Sequence, residues 1–289
     1  MIDRDHLRRF LFEDAEIRGE WVQLNASWQA ILACRDYPSV VQSQLGQALA
    51  ATVLLSATIK FKGSLILQVQ SQGPLKTLVT QATHHRTVRG LARWHGEIPQ
   101  GSLPEIYGPG CLTLTIQTEG KAPYQGIVSL EGTNLAAALQ SYFSHSEQLQ
   151  TCLLLTANDQ QAVGLFLQEL PSRQEHDTDW ERITLLASTA TAEEMLSLSS
   201  AELLYRLFNE EQIRLFEPEP VSFRCSCSRE RIENTLIALG PEEIKAILEE
   251  QGTIEVDCEF CNRHYSFDQV DVEQLLSSRV RVSASPTRH

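Results

Sequence analysis

Positive charge is in short supply in this sequence. Its 24 lysines and arginines face 37 acids, a net charge of −13 at neutral pH. That balance argues against a nucleic-acid partner, because neutralised phosphates supply most of such affinity. Long apolar runs are missing too. The longest, ALAATVLLSATI at 48–59, falls short of the roughly 20 residues a bilayer-spanning helix needs and reads as a buried helix. The opening MIDRDHLRRFLFEDAEIRGE has acids throughout and no apolar core of signal-peptide length. No membrane partner and a cytoplasmic address are therefore expected. Catalytic signatures are absent in turn. There is no G-x-x-x-x-G-K-[ST] loop, no H-E-x-x-H and no G-x-S-x-G elbow, so the sequence is not expected to encode an enzyme. YGPGC at 107–111 is too short and proline-bound to cradle phosphate and reads as a turn into a strand. His84 and His85 in THHRTVRG read as solvated neighbours, and Ser144, His145, Ser146 and Glu147 are too close in sequence to form a triad. No solenoid-length repeat is visible.

What is present is organised in three parts. The first, 1–171, alternates strand and helix signals. Period-two or β-rich runs at 64–74, 112–118 and 124–132, with a weaker one at 88–94, read as strands. ASWQAILAC after Asn25 as cap, PSVVQSQLGQALAATVLLSATI from Pro38, and LAAALQSYF after Thr133 read as helices. The pattern predicts an α+β domain with a mixed or antiparallel sheet and packed helices. The second part, 172–222, holds eleven acids against four arginines. Its helices are short, and two begin with capping boxes, Thr191 with Glu194 and Ser199 with Glu202. Helices this short are marginal alone, so an acidic helical linker that keeps its shape by docking is expected. FEPEPVSF then interrupts the chain with Pro218 and Pro220. The third part, 223–289, reads as two helices (RERIENTLIAL and PEEIKAILEEQ), a hairpin, a final helix at DQVDVEQLLSS and a polar tail, VSASPTRH, expected to be disordered.

Cysteine is used sparingly, seven residues in all, yet four of them stand as C-x-C and C-x-x-C: Cys225, Cys227, Cys258 and Cys261. In a cytoplasmic protein such pairs bind metal or do redox chemistry. Two tight turns, each presenting two sulfurs, suit one tetrahedral Zn²⁺ with four thiolates. His264 is the alternative fourth ligand. Arg224, Arg229, Arg231 and Arg263 flank the thiols and are placed to offset the two excess negative charges of such a site. Cys34, Cys111 and Cys152 stand in apolar contexts and read as small buried hydrophobes. A unit of this size gains about 3–5 kcal/mol from its core, whereas a structural zinc supplies about 10–16 kcal/mol. Removing the metal is therefore expected to unfold it. The close pairs are also placed to form disulfides, Cys225 with Cys227 and Cys258 with Cys261, and once both form no thiolate remains for zinc.

FRCSCSRER, CEFCNRHYSFD, YFSHSEQLQT and LFEPEPVSF together resemble the bacterial 33 kDa chaperonin family, the redox-regulated heat-shock holdases, and the resemblance runs through the whole chain. One departure is Gln150, where the family usually has proline after SEQL, which bears on a local turn. The resemblance implies a chaperone that works without ATP and is inactive when reduced and zinc-bound. Under oxidative and heat stress the two disulfides form, zinc leaves, and switch and linker unfold. The activated form, usually a homodimer, holds unfolding client proteins. Two other classes remain as alternatives. A thiol oxidoreductase would want its C-x-x-C at a helix start, whereas Cys258 and Cys261 fall in a strand-turn-strand. A nucleic-acid-binding zinc ribbon would want a basic surface, whereas 223–289 holds twelve acids against eight basic residues.

Overall fold

The computed structural model describes residues 5–170 and 177–283, and the chain divides into two compact units, Met1–Arg224 and Cys225–His289. The expected boundary at 171 lies outside the described residues; of the expected tail at 282–289, Val282 and Ser283 belong to the last helix and 284–289 lie outside the described residues.

The first unit opens with strands β1 (His6–Phe12) and β2 (Ile17–Leu24) and helices α1 (Ala26–Leu32) and α2 (Ser39–Thr58). There follow β3 (Gly63–Ser71), β4 (Leu75–Thr83), β5 (Thr87–Trp94), a short α3 (Leu103–Tyr107), β6 (Gly110–Thr118), β7 (Tyr124–Ser129) and α4 (Leu135–Tyr142). A π-helical turn at Phe143–Glu147 leads to β8 (Thr151–Ala157) and β9 (Ala162–Glu169). Three helices, α5 (Asp177–Ser188), α6 (Ala192–Ser197) and α7 (Ser200–Phe208), precede three short strands, β10 (Ile213–Leu215), β11 (Glu219–Pro220) and β12 (Ser222–Phe223).

These strands form two sheets. One runs β10-β1-β2-β9-β8, with β11 also on β1, and the other runs β12-β5-β4-β3-β6-β7. Every pairing in them is antiparallel except that of β12 beside β5, so the first sheet is antiparallel and the second mixed. Helix α2 touches strands of both sheets and is apolar all round, with Val41, Leu45, Leu49, Val53 and Leu54 fully buried. By length and composition it resembles a membrane span, but 72% of that window is buried inside the protein. A helix apolar on every side belongs in a core or a bilayer, and here it occupies the core. Its approach to the first sheet requires glycine, since a Cβ at Gly46 would lie 2.4 Å from the Cβ of Ala157.

The opposite face of the first sheet is covered as well. Phe10, Phe12, Ile17, Trp21, Val163, Leu165 and Leu167 pack against Ile183, Ala187, Met195, Leu203, Leu204, Leu207 and Phe208 from the acidic helices. Both expected capping boxes are formed, Thr191 with Glu194 and Ser199 with Glu202. The segment expected as a purely helical linker differs at its end. Residues 213–223, punctuated by Pro218 and Pro220, are not a break but add strands to the edges of both sheets. The cap of α1 also differs. Asn25 makes no side-chain cap; instead the carboxylate of Asp5 accepts the backbone N–H groups of Asn25, Ala26 and Ser27 at 2.6–2.9 Å. A carboxylate at a helix N-terminus satisfies orphan donors and complements the dipole.

In the second unit, α8 (Arg229–Leu239), α9 (Pro241–Gln251) and α10 (Gln269–Ser283) pack around a hairpin of β13 (Ile254–Asp257) and β14 (His264–Phe267). Its core is small: Leu236, Ile244, Ile254, Cys258, Tyr265, Phe267, Val272 and Leu275.

Candidate metal centre

The C-x-C motif lies just before α8, whose start is fixed by Ser228, its side chain accepting the N–H of Arg231. The C-x-x-C motif forms the turn between β13 and β14. There Cys258 N–H donates to the carbonyl of Arg263, and the N–H groups of Cys261 and Asn262 donate to the carbonyl of Cys258. Asn262 closes the turn in the left-handed region (φ 53°), which asparagine tolerates better than most residues. These two turns bring all four sulfurs within 4.8 Å of one another. Across the motifs, Cys225 and Cys258 stand 3.6 Å apart and Cys227 and Cys261 3.4 Å apart. Four sulfurs about 2.3 Å from a tetrahedral ion stand about 3.8 Å apart, so the cluster has the dimensions to hold one metal ion.

The surroundings suit thiolates. The N–H of Phe260 donates to the sulfur of Cys258 and that of Arg263 to the sulfur of Cys261, as expected of a knuckle turn. Burial pushes the Cys258 and Cys261 thiols up despite these donors. Burial opposes ionisation of Cys227 as well, but hydrogen bonds from the Tyr265 hydroxyl (3.2 Å) and the neighbouring thiols outweigh it and bring its pKa down to about 7. Arg263 hydrogen-bonds Tyr265 and feels the charge of Cys227 and Cys261, which holds its guanidinium firmly protonated. A cation therefore backs the hydroxyl that donates to the most acidic sulfur. Metal binding to such a cluster displaces the remaining thiol protons.

Of the four arginines expected to offset the site's charge, Arg263 alone does so directly. Arg229 stacks 4.3 Å from the Phe267 ring centroid and pairs with Glu233 and Asp271. Arg231 bonds the Ser226 hydroxyl at 2.7 Å, and Arg224 is exposed and belongs to the first unit. His264 is turned to carboxylates, with Nδ1 2.8 Å from Asp257 and Nε2 2.5 Å from Glu255, and these partners raise its pKa. That leaves neither ring nitrogen for the sulfur cluster. Of the remaining cysteines, Cys111 is exposed rather than buried, on β6 next to the inward-facing Leu112; Cys34 and Cys152 are half-buried. Sequence reasoning missed Tyr265. Its signal was the period-two pattern of HYSF, which puts Tyr265 and Phe267 inward and His264 and Ser266 outward.

Residues 5–268 match the family described as Hsp33 protein. A protein from Nitrosococcus oceani named 33 kDa chaperonin is 75% identical over the full length of both chains. Proteins of the same name from Shewanella denitrificans and Chromobacterium violaceum are 44% and 43% identical over at least 99% of each chain. The crystal structure of a 33 kDa chaperonin, a heat shock protein 33 homologue from Thermotoga maritima, shares the fold with a TM-score of 0.84 at 24% identity, covering 96% of this chain and 99% of that one. Extended over both sheets, the covering helices and the four-sulfur hairpin unit, these matches establish that the chain belongs to the Hsp33 family.

Proposed function

We propose that the protein is a cytoplasmic, ATP-independent chaperone whose client-holding surface is covered while Cys225, Cys227, Cys258 and Cys261 are reduced and hold one Zn²⁺. The observation that carries this reading is the convergence of the four sulfurs in a unit with a very small core. The bound ion supplies folding free energy that such a core lacks. The thiols then act as the sensor. Oxidation of two thiols by a peroxide gives one disulfide and two waters, so two peroxides convert the four cysteines to Cys225–Cys227 and Cys258–Cys261. Each sulfur so bonded is lost as a ligand. An S–S bond is about 2.05 Å long, so pairing within each motif draws its sulfurs away from the cross-motif neighbours they meet at 3.6 and 3.4 Å, and oxidation and loss of the local fold go together. The chain leads from the first of these cysteines directly back into residues 213–224 and the helices that cover the apolar face of the first sheet. Loosening that cover bares Phe10, Phe12, Trp21 and the leucines facing them, the kind of surface that takes up unfolding clients. The activated form is a homodimer on this reading.

The test follows metal release with a chromophoric chelator and light scattering of a heat-denatured client together, during peroxide treatment at elevated temperature. About one zinc per chain leaving as scattering falls is the expected outcome, with peptide mapping placing both disulfides within their motifs. Zinc that stays bound, or leaves with no gain in suppression, would make the site a structural staple only.

A further inference from the structure

The chain contains five lysines, Lys60, Lys62, Lys76, Lys121 and Lys245. Three of them, Lys60, Lys62 and Lys121, line one open cleft of about 640 Å³ at an end of the second sheet. Lys60 and Lys62 stand in the connection from α2 to β3, and Lys121 in the turn from β6 to β7. The cleft also receives His84 and Arg86 from the turn between β4 and β5. The two turns are fastened to the Lys60–Gly63 segment: Glu119 N–H donates to the Lys62 carbonyl at 3.0 Å and His84 N–H to the Gly63 carbonyl at 3.0 Å. The Nδ1 of His84 is held against the Gly63 backbone, which leaves Nε2 for a ligand. Arg86 is engaged elsewhere, by Glu219 at 2.9 Å and Ser56 at 3.3 Å. Among the described residues the three lysine ammonium groups have no hydrogen-bond or ion-pair partner, and Glu119 is the one acid lining the cleft.

Like charges gathered on one surface repel, and a chain of net charge −13 has carboxylates to spare for pairing them. We infer that this cleft is an anion site whose ligand is an oligophosphate, held through its phosphate chain. Lysine serves phosphate as a point charge that needs no fixed fork geometry, and three ammonium groups with one imidazole N–H suit several successive phosphoryl oxygens better than a single carboxylate. The site is built wholly from residues of the first unit, uses none of the four clustered cysteines, and does not depend on the chaperone reading.

The test uses the full-length, reduced, zinc-loaded protein and inorganic tripolyphosphate, titrated calorimetrically at low ionic strength, with ATP in a parallel titration. Binding of one tripolyphosphate per chain is expected, with a loss of about tenfold or more in affinity when K60A, K62A and K121A are combined. The control pair K76A and K245A should bind as the parent does. Equal affinity for ATP and tripolyphosphate would assign recognition to the phosphate chain. Tighter ATP binding that still depends on the three lysines would support the same site with a nucleotide as its source. Absence of binding to the parent, or equal binding by the triple variant, would overturn the proposal. Unchanged thermal melting of the variant, whose three side chains are exposed, guards against misreading a folding defect.

Discussion

Two side chains outside the sulfur cluster carry energetic weight that can be isolated one atom at a time. Tyr265 donates to Cys227 and is itself backed by Arg263. Outer partners of metal ligands fix ligand orientation and charge, and losing one costs about 10–100-fold in affinity. Y265F should therefore lower zinc affinity by about that factor in a chelator competition while leaving the hairpin folded, since the ring stays in the core. The second residue is Glu20, on β2, buried with Oε2 unpartnered among the described residues. Burial raises its pKa from 4.5 to about 7, against the pull of Arg18, Arg9 and Arg86. A carboxyl that holds its proton more tightly when folded costs nothing below its unfolded pKa. Its cost grows as pH rises from about 4.5 towards 7 and is complete above that. The first unit should accordingly lose stability across that window. E20Q should remove the dependence and gain on the order of 2–3 kcal/mol at pH 8, read from denaturant midpoints. A wild-type pH profile parallel to that of E20Q would show that Glu20 titrates normally.

At the level of elements, the acidic helices are held by what they cover. Phe208 of α7 is buried and meets Phe12 of β1 edge-on, centroids 5.1 Å apart. Truncating it to alanine costs about 3–5 kcal/mol of packing. In F208A, amide protection in α5–α7 should fall first while α2 and β3–β5 keep theirs, and the reduced protein should suppress client aggregation in part without oxidant. Simultaneous loss of protection throughout the first unit would instead make the helices integral to its core. These elements also mark where the sequence could be read. α6 and α7 were legible because their caps are local chemistry, and α8 and α9 because Gly240 and Pro241 punctuate them. The strands at His6–Phe12, Thr151–Ala157 and Ala162–Glu169 were not. The first carries the adjacent Arg8 and Arg9, which fall on opposite faces and break the alternation, and β9 is buried on both faces and so lacks the alternation that marks a half-exposed strand. Residues 213–223 were misread because their pairing is with β1 and β5, some 130 to 210 positions away, a relation no local window contains. The convergence of the four sulfurs was legible because C-x-C and C-x-x-C announce themselves by spacing. Its tyrosine was not, because hydroxyl donation depends on the register of β13 with β14.

Over the whole molecule, the two units differ in what keeps them folded, and metal removal should separate them. The first has two six-stranded sheets, a buried 20-residue helix and aromatic cores on both faces of one sheet. The second has, among its described residues, eight in its buried core, one of them Cys258 itself. Without an ion, its four sulfurs crowd within 4.8 Å of one another, with one thiol acidic near neutral pH and Arg263 as the cation at hand against further ionisation. The apo state thus loses both the cross-link and the charge balance that made the cluster tolerable, and a core worth about 3–5 kcal/mol cannot meet the entropy of ordering the unit alone. A strong chelator under reducing conditions should therefore remove the helical signal of α8–α10 and open residues 225–283 to protease, while β1–β9 remain resistant. Returning zinc should restore the unit. C258S should behave as the chelated protein does even with zinc present, since a neutral hydroxyl replaces a buried thiolate donor. Retention of α8–α10 in the chelated, reduced protein would mean that the small core suffices by itself, and oxidation would then have to act through disulfide geometry rather than through loss of the metal.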